Sequence, residues 1–258
     1  MWELYDALLA EIPPDARVDE IICGARWIMA RSGEGVGICG AMADTWRHPQ
    51  LPRKSIGMPL RELAACIKSW DFIEAGIGLA ALNAYYNAGD RLRGQGLAIS
   101  TAQFAEDRTA DPFIALQREV QDKNVTVIGH FPYIDQLLAP VCNLAVVEKF
   151  YPQEGDYPES AADYLLPGCD FAFISSYTLV EKSLPRMLRL AAGAHTVLVG
   201  PATPAAPVLR RFGADDFGGF VIKDLQAARD ACLGITRNIR AAGHKFNLRK
   251  PGGPCTSS

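Results

Sequence analysis

The chain has none of the features of a membrane protein or of a nucleic-acid-binding protein. No run of about 18 or more apolar residues is present, so no membrane-spanning segment is predicted. The formal net charge is -3, which favours neither nucleic acid nor an anionic membrane as a partner. The N-terminus lacks the basic and apolar regions of a signal peptide, and we therefore expect a cytoplasmic protein. Hydrophobic residues make up 49% of the 258 residues, which allows a sizeable buried core.

The sequence is also poor in recognised metal and catalytic motifs. It has seven cysteines but no Cys-x-x-Cys pair, and cysteines in a cytoplasmic chain are expected to be reduced. The paired spacing of cysteine-based metal sites is therefore missing. The motifs His-Glu-x-x-His and Gly-x-Ser-x-Gly and the P-loop lysine are absent as well. These patterns identify no nucleophile, so the catalytic residues are unknown and it stays open whether the protein is an enzyme.

Tryptophan is missing from the second half of the chain, and this difference in composition predicts two domains. All four tryptophans lie within the first 70 residues. A polar stretch from Ala105 to Pro112 is typical of a linker. We therefore predict an α+β domain over residues 1–110, a domain with a parallel sheet over residues 111–250, and a flexible tail over residues 251–258.

The first domain is predicted to be an antiparallel meander followed by helices. An opening helix carries an apolar stripe that includes Tyr5 and Leu8. Short apolar runs at 18–23, 26–30 and 36–39 are separated by glycine turns, which is typical of an antiparallel meander. Two helices follow. The second is predicted over 71–87, with Asp71 and Glu74 as a capping box and Gly89 as its C-terminal stop.

The second domain is predicted to be a parallel sheet built from repeated β-α units. Five apolar strands alternate with helical patterns, at 125–128, 144–147, 171–174, 196–199 and 220–222. Thr178 and Glu181 form a candidate capping box after the third strand. A last helix is expected from Asp224 to about Ile239. After Asp230 the chain has five basic residues and no acidic one, which favours a solvated, frayed tail.

A literal Gly-x-Gly-x-x-Gly occurs at Gly35, Gly37 and Gly40. This fingerprint binds a dinucleotide when a strand precedes it and a helix begins at its end. Here it follows a hairpin and no convincing helix starts after it. We therefore expect a turn and a glycine-rich strand, with no nucleotide bound there.

The turn Gly129-His130-Phe131-Pro132 is better placed to bind a ligand than the motif at Gly35 to Gly40, because it follows the first strand of the parallel sheet. Gly129 permits a tight turn, and free amides near a helix start favour an anion or a polar ligand group. Phe131 and a larger residue replace the second and third glycines of the dinucleotide fingerprint. Because a bulky residue obstructs the pyrophosphate, the classical NAD mode is disfavoured. A purely structural turn remains the alternative.

Glu148 and His130 are the candidate metal ligands. Glu148 ends the second strand, where Rossmann proteins place a ribose-binding acid, but it could equally cap a loop or pair with Lys149. His130 lies at the ligand-facing end of the sheet and could bind a metal or transfer protons. A hydrogen-bonded structural histidine is at least as consistent with the sequence. We expect replacement of Glu148 to affect ligand binding more than folding.

Two further loops follow strands of the parallel sheet. Ser175, Ser176 and Thr178 could bind a ligand through their hydroxyl groups, or cap the next helix. Gly200, Pro201 and Thr203 belong to a proline-rich loop, which suits either a preorganised wall of a binding site or a rigid connection.

Four motifs together resemble those of a family of uncharacterised prokaryotic proteins labelled for heavy-metal chelation. They are the helix motif Gly76 to Ala84, the turn Gly129 to Pro132, Glu148, and the loop Gly200 to Pro204. The resemblance extends from the N-terminal helix to about Asp224. It implies an α/β protein with an N-terminal enolase-N-like α+β domain, a Rossmann-like domain and a ligand site in the cleft between them. The family commonly has asparagine where this chain has Glu181, which implies a different ligand contact.

The strand order of dinucleotide-binding sheets puts the first and fourth strands side by side. This order would bring Gly129 and His130 close to Gly200 and Pro201, with Asn83 and its helix as the facing wall. The candidate ligand-binding residues follow from the motifs together: Asn83, Gly129, His130, Phe131, Pro132, Glu148, Ser175, Ser176, Thr178, Gly200, Pro201 and Thr203.

Three hypotheses about function remain open from the sequence. The first is a protein that binds a small molecule or a metal chelate in an interdomain cleft, either as such or as an enzyme of metal or cofactor metabolism. The second is an enzyme dependent on a nucleotide or S-adenosylmethionine, because Glu148 lies at the ribose position. The third is a non-catalytic binding protein. The cofactor is unknown, with a metal ion as one candidate, and a homodimer is the common default for soluble oligomers.

Overall fold

The computed structural model describes residues 2–42, 51, 54–96 and 110–250. They form a mixed α/β structure with two sheets. One sheet has three antiparallel strands, and the other has six mostly parallel strands. None of the helices in the described part of the chain combines the length and the apolarity that a membrane crossing needs.

The first half begins as the sequence predicts. Helix α1 (Glu3–Ala10) buries the expected stripe, including Tyr5 and Leu8, and Ile12 after it is also buried. Three antiparallel strands follow, β1 (Glu20–Cys23), β2 (Trp27–Ser32) and β3 (Gly35–Gly40). The predicted meander is therefore confirmed, with boundaries shifted by one or two residues.

Helices cover this sheet. Helix α2 (Leu60–Ala64) continues into a 3-10 turn at Ala65–Lys68, and α3 (Phe72–Tyr86) follows. Asp71 caps α3 by accepting a hydrogen bond from the Glu74 amide, at 2.9 Å. The Glu74 carboxylate does not close the capping box, because it accepts from the Ser69 hydroxyl and the Leu51 amide instead. Gly89 does not stop α3, since it begins a further helix, α4 (Gly89–Gly94).

The backbones of α3 and β3 lie in direct contact because β3 has glycines, which have no side chain, at the contact positions. A Cβ atom on Gly37 would lie 2.1 Å from the Ala80 carbonyl oxygen, and one on Gly35 would lie 1.9 Å from that of Ala84. The glycine-rich strand predicted at Gly35, Gly37 and Gly40 is confirmed. Its first two glycines are covered by the helix backbone, which leaves no space for a phosphate group beside them.

The second half is a parallel sheet with short crossover helices. Helix α5 (Pro112–Ala115) leads into it, with Asp111 as N-cap. The remaining elements alternate as predicted, except that a sixth strand, which was not predicted, follows the last helix. They are β4 (Asn124–Ile128), α6 (Ile134–Leu138), β5 (Asn143–Val147), α7 (Ala162–Leu165), β6 (Phe171–Ser175), α8 (Thr178–Glu181), α9 (Leu184–Leu190), β7 (His195–Val199), β8 (Asp216–Ile222), α10 (Leu225–Cys232) and β9 (Gly243–Leu248).

The strand order differs from the expected one. Strand β4 pairs with β5 and β6, and β7 pairs with β6 and β8, so the first and fourth parallel strands are not neighbours. This is the second common doubly wound order, in which the chain reverses direction between the first and third strands. Both orders use the same right-handed crossovers, and an alternation of strands and helices does not distinguish them. As a result Gly129 lies beside Ser175, with β6 between it and Gly200.

The capping box predicted at Thr178 and Glu181 is absent from α8. The N-cap residue is Tyr177, the Thr178 hydroxyl donates to the Ser175 carbonyl oxygen at 2.7 Å, and the Glu181 carboxylate pairs with Lys149. Helix α8 is a single turn that begins one residue earlier than the box requires, so the threonine faces backwards to the strand end.

The C-terminal segment is more ordered than expected. Helix α10 ends at Cys232, Gly234 adopts a φ of +78°, and Ile235 is exposed. Strand β9 then pairs antiparallel with β8, burying Phe246 and Leu248. The interpretation of the segment after Asp230 as a frayed tail is wrong up to residue 250, because alternate apolar residues in the basic run cover the sheet edge. Residues 251–258 lie outside the described residues.

The two halves share a hydrophobic core. One cluster of buried residues extends from Leu8 in α1 through Ala81 in α3 to Leu198 in β7 and Leu248 in β9. Most of the predicted linker, Ala105 to Pro112, lies outside the described residues, and its last two residues, Asp111 and Pro112, are the N-cap and the first residue of α5. The domain boundary near residue 110 stays a prediction.

Candidate functional site

The reversal of the chain between β4 and β6 creates a cavity at the carboxyl ends of these strands. The cavity has a volume of about 180 Å³. Gly129, with a φ of +96°, turns the chain after β4, and a Cβ atom there would lie 2.9 Å from the Ser175 Cβ atom. The place where a doubly wound sheet reverses is where such sheets bind ligands. We call this space the switch-point cavity. Its lining includes Met42, Gly129, His130, Phe131, Glu148, Lys149, Phe150, Glu159, Ser175, Tyr177, Thr178, Glu181 and Met187.

Glu148 holds the loops at the mouth of this cavity together. Its Oε1 atom accepts hydrogen bonds from the amides of Lys149, Phe150 and Tyr151, at 3.0, 2.7 and 3.1 Å. Its Oε2 atom accepts from the His130 amide at 2.8 Å. Of the alternatives that the sequence left open, the observed contacts are those of a loop cap. Because the carboxylate occupies the amide of the glycine turn, an incoming phosphate could not use that amide.

His130 is buried against a carboxylate. Its Nδ1 atom lies 3.0 Å from both carboxylate oxygens of Asp156, and the two side chains are 5% and 4% exposed. On the other side, Nε2 lies 3.6 Å from the Asp135 carboxylate, which is largely exposed. These contacts are those of a hydrogen-bonded structural histidine, and no pattern in the sequence indicates the pairing with Asp156.

The donor atoms of the described residues do not form a metal site. Within this part of the chain no group of three or more His, Cys, Asp or Glu residues could hold an ion. The two candidate ligands, His130 and Glu148, already bond to Asp156 and to backbone amides. The six described cysteines are free thiols, and burial raises the pKa of each, which opposes the thiolate form that metals require.

An acidic network forms one wall of the switch-point cavity. Lys149 Nζ lies 3.0 Å from Glu181 Oε1 and 3.3 Å from Glu159 Oε2. Burial raises the pKa of the Glu181 carboxyl, although the lysine opposes the shift. Burial alone would lower the pKa of the Lys149 ammonium, but its two glutamate partners raise it overall. His130 apart, the described residues of the lining include one cation, Lys149, and the carboxylates of Glu148, Glu159 and Glu181.

A second cavity lies on the other side of the Gly129 to Tyr133 turn. Its volume is about 240 Å³, and Trp27 of β2 joins residues of the parallel sheet in its lining. Gly200 and Pro201 line this cavity, together with Pro132, and Phe131 lines both cavities. We call it the aromatic cavity. The expected single cleft is thus divided by the Phe131 ring.

Three of the predicted ligand-binding residues are buried and line neither cavity. Ser176 is 3% exposed and lies under Gly200, where a Cβ atom would be 3.1 Å from its hydroxyl oxygen. Asn83 and Thr203 are 0% exposed. The Asn83 amide donates to the carbonyl oxygens of Ile38 and Ala202, at 3.0 and 2.8 Å, and so ties α3 to the proline-rich loop.

The sequence reasoning did not identify Asn87, Glu159, Trp27 or Arg240. Asn87, the C-cap residue of α3, lies four residues after Asn83. Its amide donates to the Thr203 carbonyl oxygen at 3.0 Å, and its Oδ1 accepts from the Ala205 amide at 2.8 Å. The spacing of four between the two asparagines was a usable signal for a common face. The others reach the cavities through tertiary contacts for which the sequence has no local pattern.

Known proteins match the chain over most of its length. A model of the DUF364 family, described as "Putative heavy-metal chelation", matches residues 111–238, and a DUF4213 model with the same description matches residues 5–86. A DUF364-family protein of unknown function from Desulfitobacterium hafniense has a crystal structure that superposes with a TM-score of 0.88. It is 42% identical, and the match covers 97% of this chain and 99% of that chain.

A second crystal structure has the same fold at a much lower sequence identity. A DUF364-family protein of unknown function from Pyrococcus horikoshii is 19% identical, with a TM-score of 0.79 and coverage of 95% of this chain and 99% of that one. At this identity the likeness concerns the fold alone. No curated protein matches the chain. The family models and the 42% identity over nearly the whole length show that the chain belongs to the DUF364 family.

Proposed function

We propose that this protein binds a small polar molecule of neutral or positive charge in the switch-point cavity, including a metal ion already held by an organic chelator. The observation that carries the proposal is the cavity itself, which opens where the sheet reverses and is walled by Glu159 and Glu181. Neighbouring carboxylates favour a cationic group by Coulomb attraction, more strongly where they are partly shielded from water.

Two alternatives are less well supported. A nucleotide would place a phosphate near the glycine turn, where Glu148 already occupies the His130 amide. A bare metal ion would need donors that the described residues do not bring together. A chelated ion already has its own ligands. It needs from the protein only a cavity of matching shape, hydrogen bonds to the chelator and a complementary charge. This reading agrees with the description of the family models, and it requires no reaction.

Differential scanning fluorimetry with a small panel of probes tests the proposal. We expect histidine and its Ni²⁺ complex to raise the melting temperature, because a ligand that binds only the native state stabilises it. Citrate and ATP should have little effect. S-adenosylmethionine has a net positive charge, so a shift with it alone would favour the nucleoside hypothesis instead.

The charge of Glu181 provides the specific control. Glu181→Gln should abolish the shift caused by Ni²⁺–histidine, and Glu154→Gln, an exposed residue that does not line the cavity, should leave it unchanged. Because the pKa of the Glu181 carboxyl is raised, the shift should decline on acidification at a higher pH than an ordinary glutamate would cause. A shift with ATP that survives in both variants would contradict the proposal.

A further inference from the structure

The aromatic cavity differs from the switch-point cavity in both shape and charge. Five aromatic side chains line it: Trp27, Phe113, Phe131, Tyr133 and Phe220. Phe113 contacts Phe131 and Tyr133 with ring centroids 5.2 and 5.9 Å apart, the latter pair edge-to-face. This packing fixes the rings of one wall before any ligand arrives, so little side-chain entropy remains to be lost on binding.

The charged residues of this cavity leave a positive charge available. The Asp111 carboxylate accepts hydrogen bonds from the Phe113 amide at 3.0 Å and the Tyr133 hydroxyl at 2.8 Å, and it pairs with Lys245. The positive charge of Lys245 is therefore balanced by the Asp111 carboxylate. Arg240 lines the same cavity and is exposed, and within the part of the chain that the structure describes its guanidinium forms no ion pair.

We propose that the aromatic cavity is a second binding site, for a small planar aromatic molecule that carries a carboxylate or phosphate group. The ring would lie among the aromatic side chains, and the anionic group would meet Arg240. A guanidinium binds either anion through two parallel hydrogen bonds, which gives direction as well as charge. Aromatic contacts of this kind add to the energy of apolar burial.

The size of the cavity limits the occupant. At about 240 Å³ it is smaller than the roughly 300–1,000 Å³ of pockets that enclose drug-sized ligands. One or two fused rings therefore fit better than a dinucleotide or a larger cofactor. Trp27 comes from the first half of the chain and the other rings from the second, so the site requires both halves to be folded together.

Quenching of tryptophan fluorescence and calorimetric titration on the full chain test the proposal. The probes are 1-naphthoate and 1-naphthyl phosphate, which separate the carboxylate from the phosphate. Cyclohexanecarboxylate lacks the aromatic ring and 1-naphthylmethylamine has the opposite charge. We expect one of the two naphthyl anions to bind, and both comparison compounds to bind at least ~10-fold more weakly, the factor that about 1.4 kcal/mol represents.

Matched variants assign the binding to the cavity. Arg240→Gln should weaken binding of the naphthyl anion about tenfold, the scale of a lost charge-assisted hydrogen bond, and Arg240→Lys should weaken it less. Arg237→Gln, a nearby exposed arginine that does not line the cavity, should bind as wild type does. Trp27→Leu should weaken binding and remove most of the quenching, with its melting temperature measured to confirm folding.

Three outcomes would overturn the proposal. They are no binding of either naphthyl anion at millimolar concentration, equal binding by wild type and Arg240→Gln, or equal binding of cyclohexanecarboxylate. None of the substituted residues lines the switch-point cavity. A negative result for the aromatic cavity therefore does not affect the test of ligand binding in the switch-point cavity.

Discussion

At the scale of single residues, Glu148 is placed to stabilise the fold. Its carboxylate accepts four backbone amide hydrogen bonds from two loops. Glu148→Ala should lower the free energy of unfolding by about 1–3 kcal/mol, because partly buried amides lose a charged acceptor. This result would reverse the expectation from the sequence that ligand binding would suffer more than folding.

Urea denaturation of wild type, Glu148→Ala and Glu148→Gln measures this effect. The glutamine variant keeps one acceptor oxygen and should fall between the other two. Glu154→Ala removes an exposed glutamate from the same loop and should change little. A Glu148→Ala protein as stable as the Glu154→Ala protein would show that the loop does not depend on the carboxylate.

The glycine motif in β3 gives a second prediction for single residues. Gly37→Ala would place a Cβ atom 2.1 Å from the Ala80 carbonyl oxygen and 2.2 Å from the Ala84 nitrogen, both on the backbone of α3. It should cost about 3 kcal/mol or more, since the helix must move away from the strand. Gly40→Ala meets nothing within 4 Å and should be nearly neutral. Unfolding curves in urea compare the two, and equal stabilities would refute close packing of α3 on β3.

At the scale of elements, two asparagines of α3 fasten this helix to the loop after β7. Asn87 is 2% exposed, donates to the Thr203 and Phe220 carbonyl oxygens, and accepts from the Ala205 amide. Asn87→Ala should lower the free energy of unfolding by about 2–3 kcal/mol, because the buried Ala205 amide is left without its acceptor. Asn83→Ala should cost less, about 1–2 kcal/mol, since Asn83 only donates within the described residues.

Thermal and urea unfolding of both variants tests this order. If Asn83→Ala proved the more damaging of the two, its Oδ1 atom would have to be making a contact outside the described residues. Crystallography of either variant would then be expected to show a displaced loop at 200–205.

The elements that were predictable from the sequence are those with a local pattern. The stripe of α1, the glycine turns of the meander and the apolar strand runs each specify their own conformation, and all are confirmed. Strand β9 was not predicted, because His244 to Leu248 becomes a strand only by pairing with β8 at the sheet edge. The order of β4, β6 and β7 was also beyond local patterns, since it depends on which crossover passes which face of the sheet.

At the scale of the whole molecule, the shared core predicts cooperative unfolding. Buried residues of both halves form one cluster, and the Tyr5 hydroxyl donates to the Leu179 carbonyl oxygen across them at 3.1 Å. All four tryptophans lie in the first half, so their fluorescence reports on that half while far-ultraviolet circular dichroism reports on both. The two signals should give one coincident transition in urea. An earlier fluorescence transition would show that the halves unfold separately.

The candidate site was predictable in its location and not in its contacts. The rule that ligands bind at the carboxyl ends of parallel strands predicted one pocket, and Gly129, Glu148, Ser175 and Thr178 do line one cavity, whereas Gly200 lines the aromatic cavity and Thr203 lines neither. The partners of these residues, such as Asp156 beside His130, come from loops whose approach no local pattern encodes. The division into two cavities depends on the position of one side chain, Phe131, which follows from packing against Phe113.

The hydrogen bonds between α3 and the loop after β7 can form only after a long stretch of the chain between them has been synthesised. Helix α3 is buried at 12 of its 15 residues, yet the Asn87 side chain bonds to a backbone amide 118 residues further along the sequence. At 5–20 residues per second, the ribosome needs roughly 6 to 24 s to make that distance. For those seconds the nascent first half has its most apolar helix without the loop to which Asn83 and Asn87 bond. We therefore expect this stage of biosynthesis to be the one at which the chain depends most on cellular chaperones.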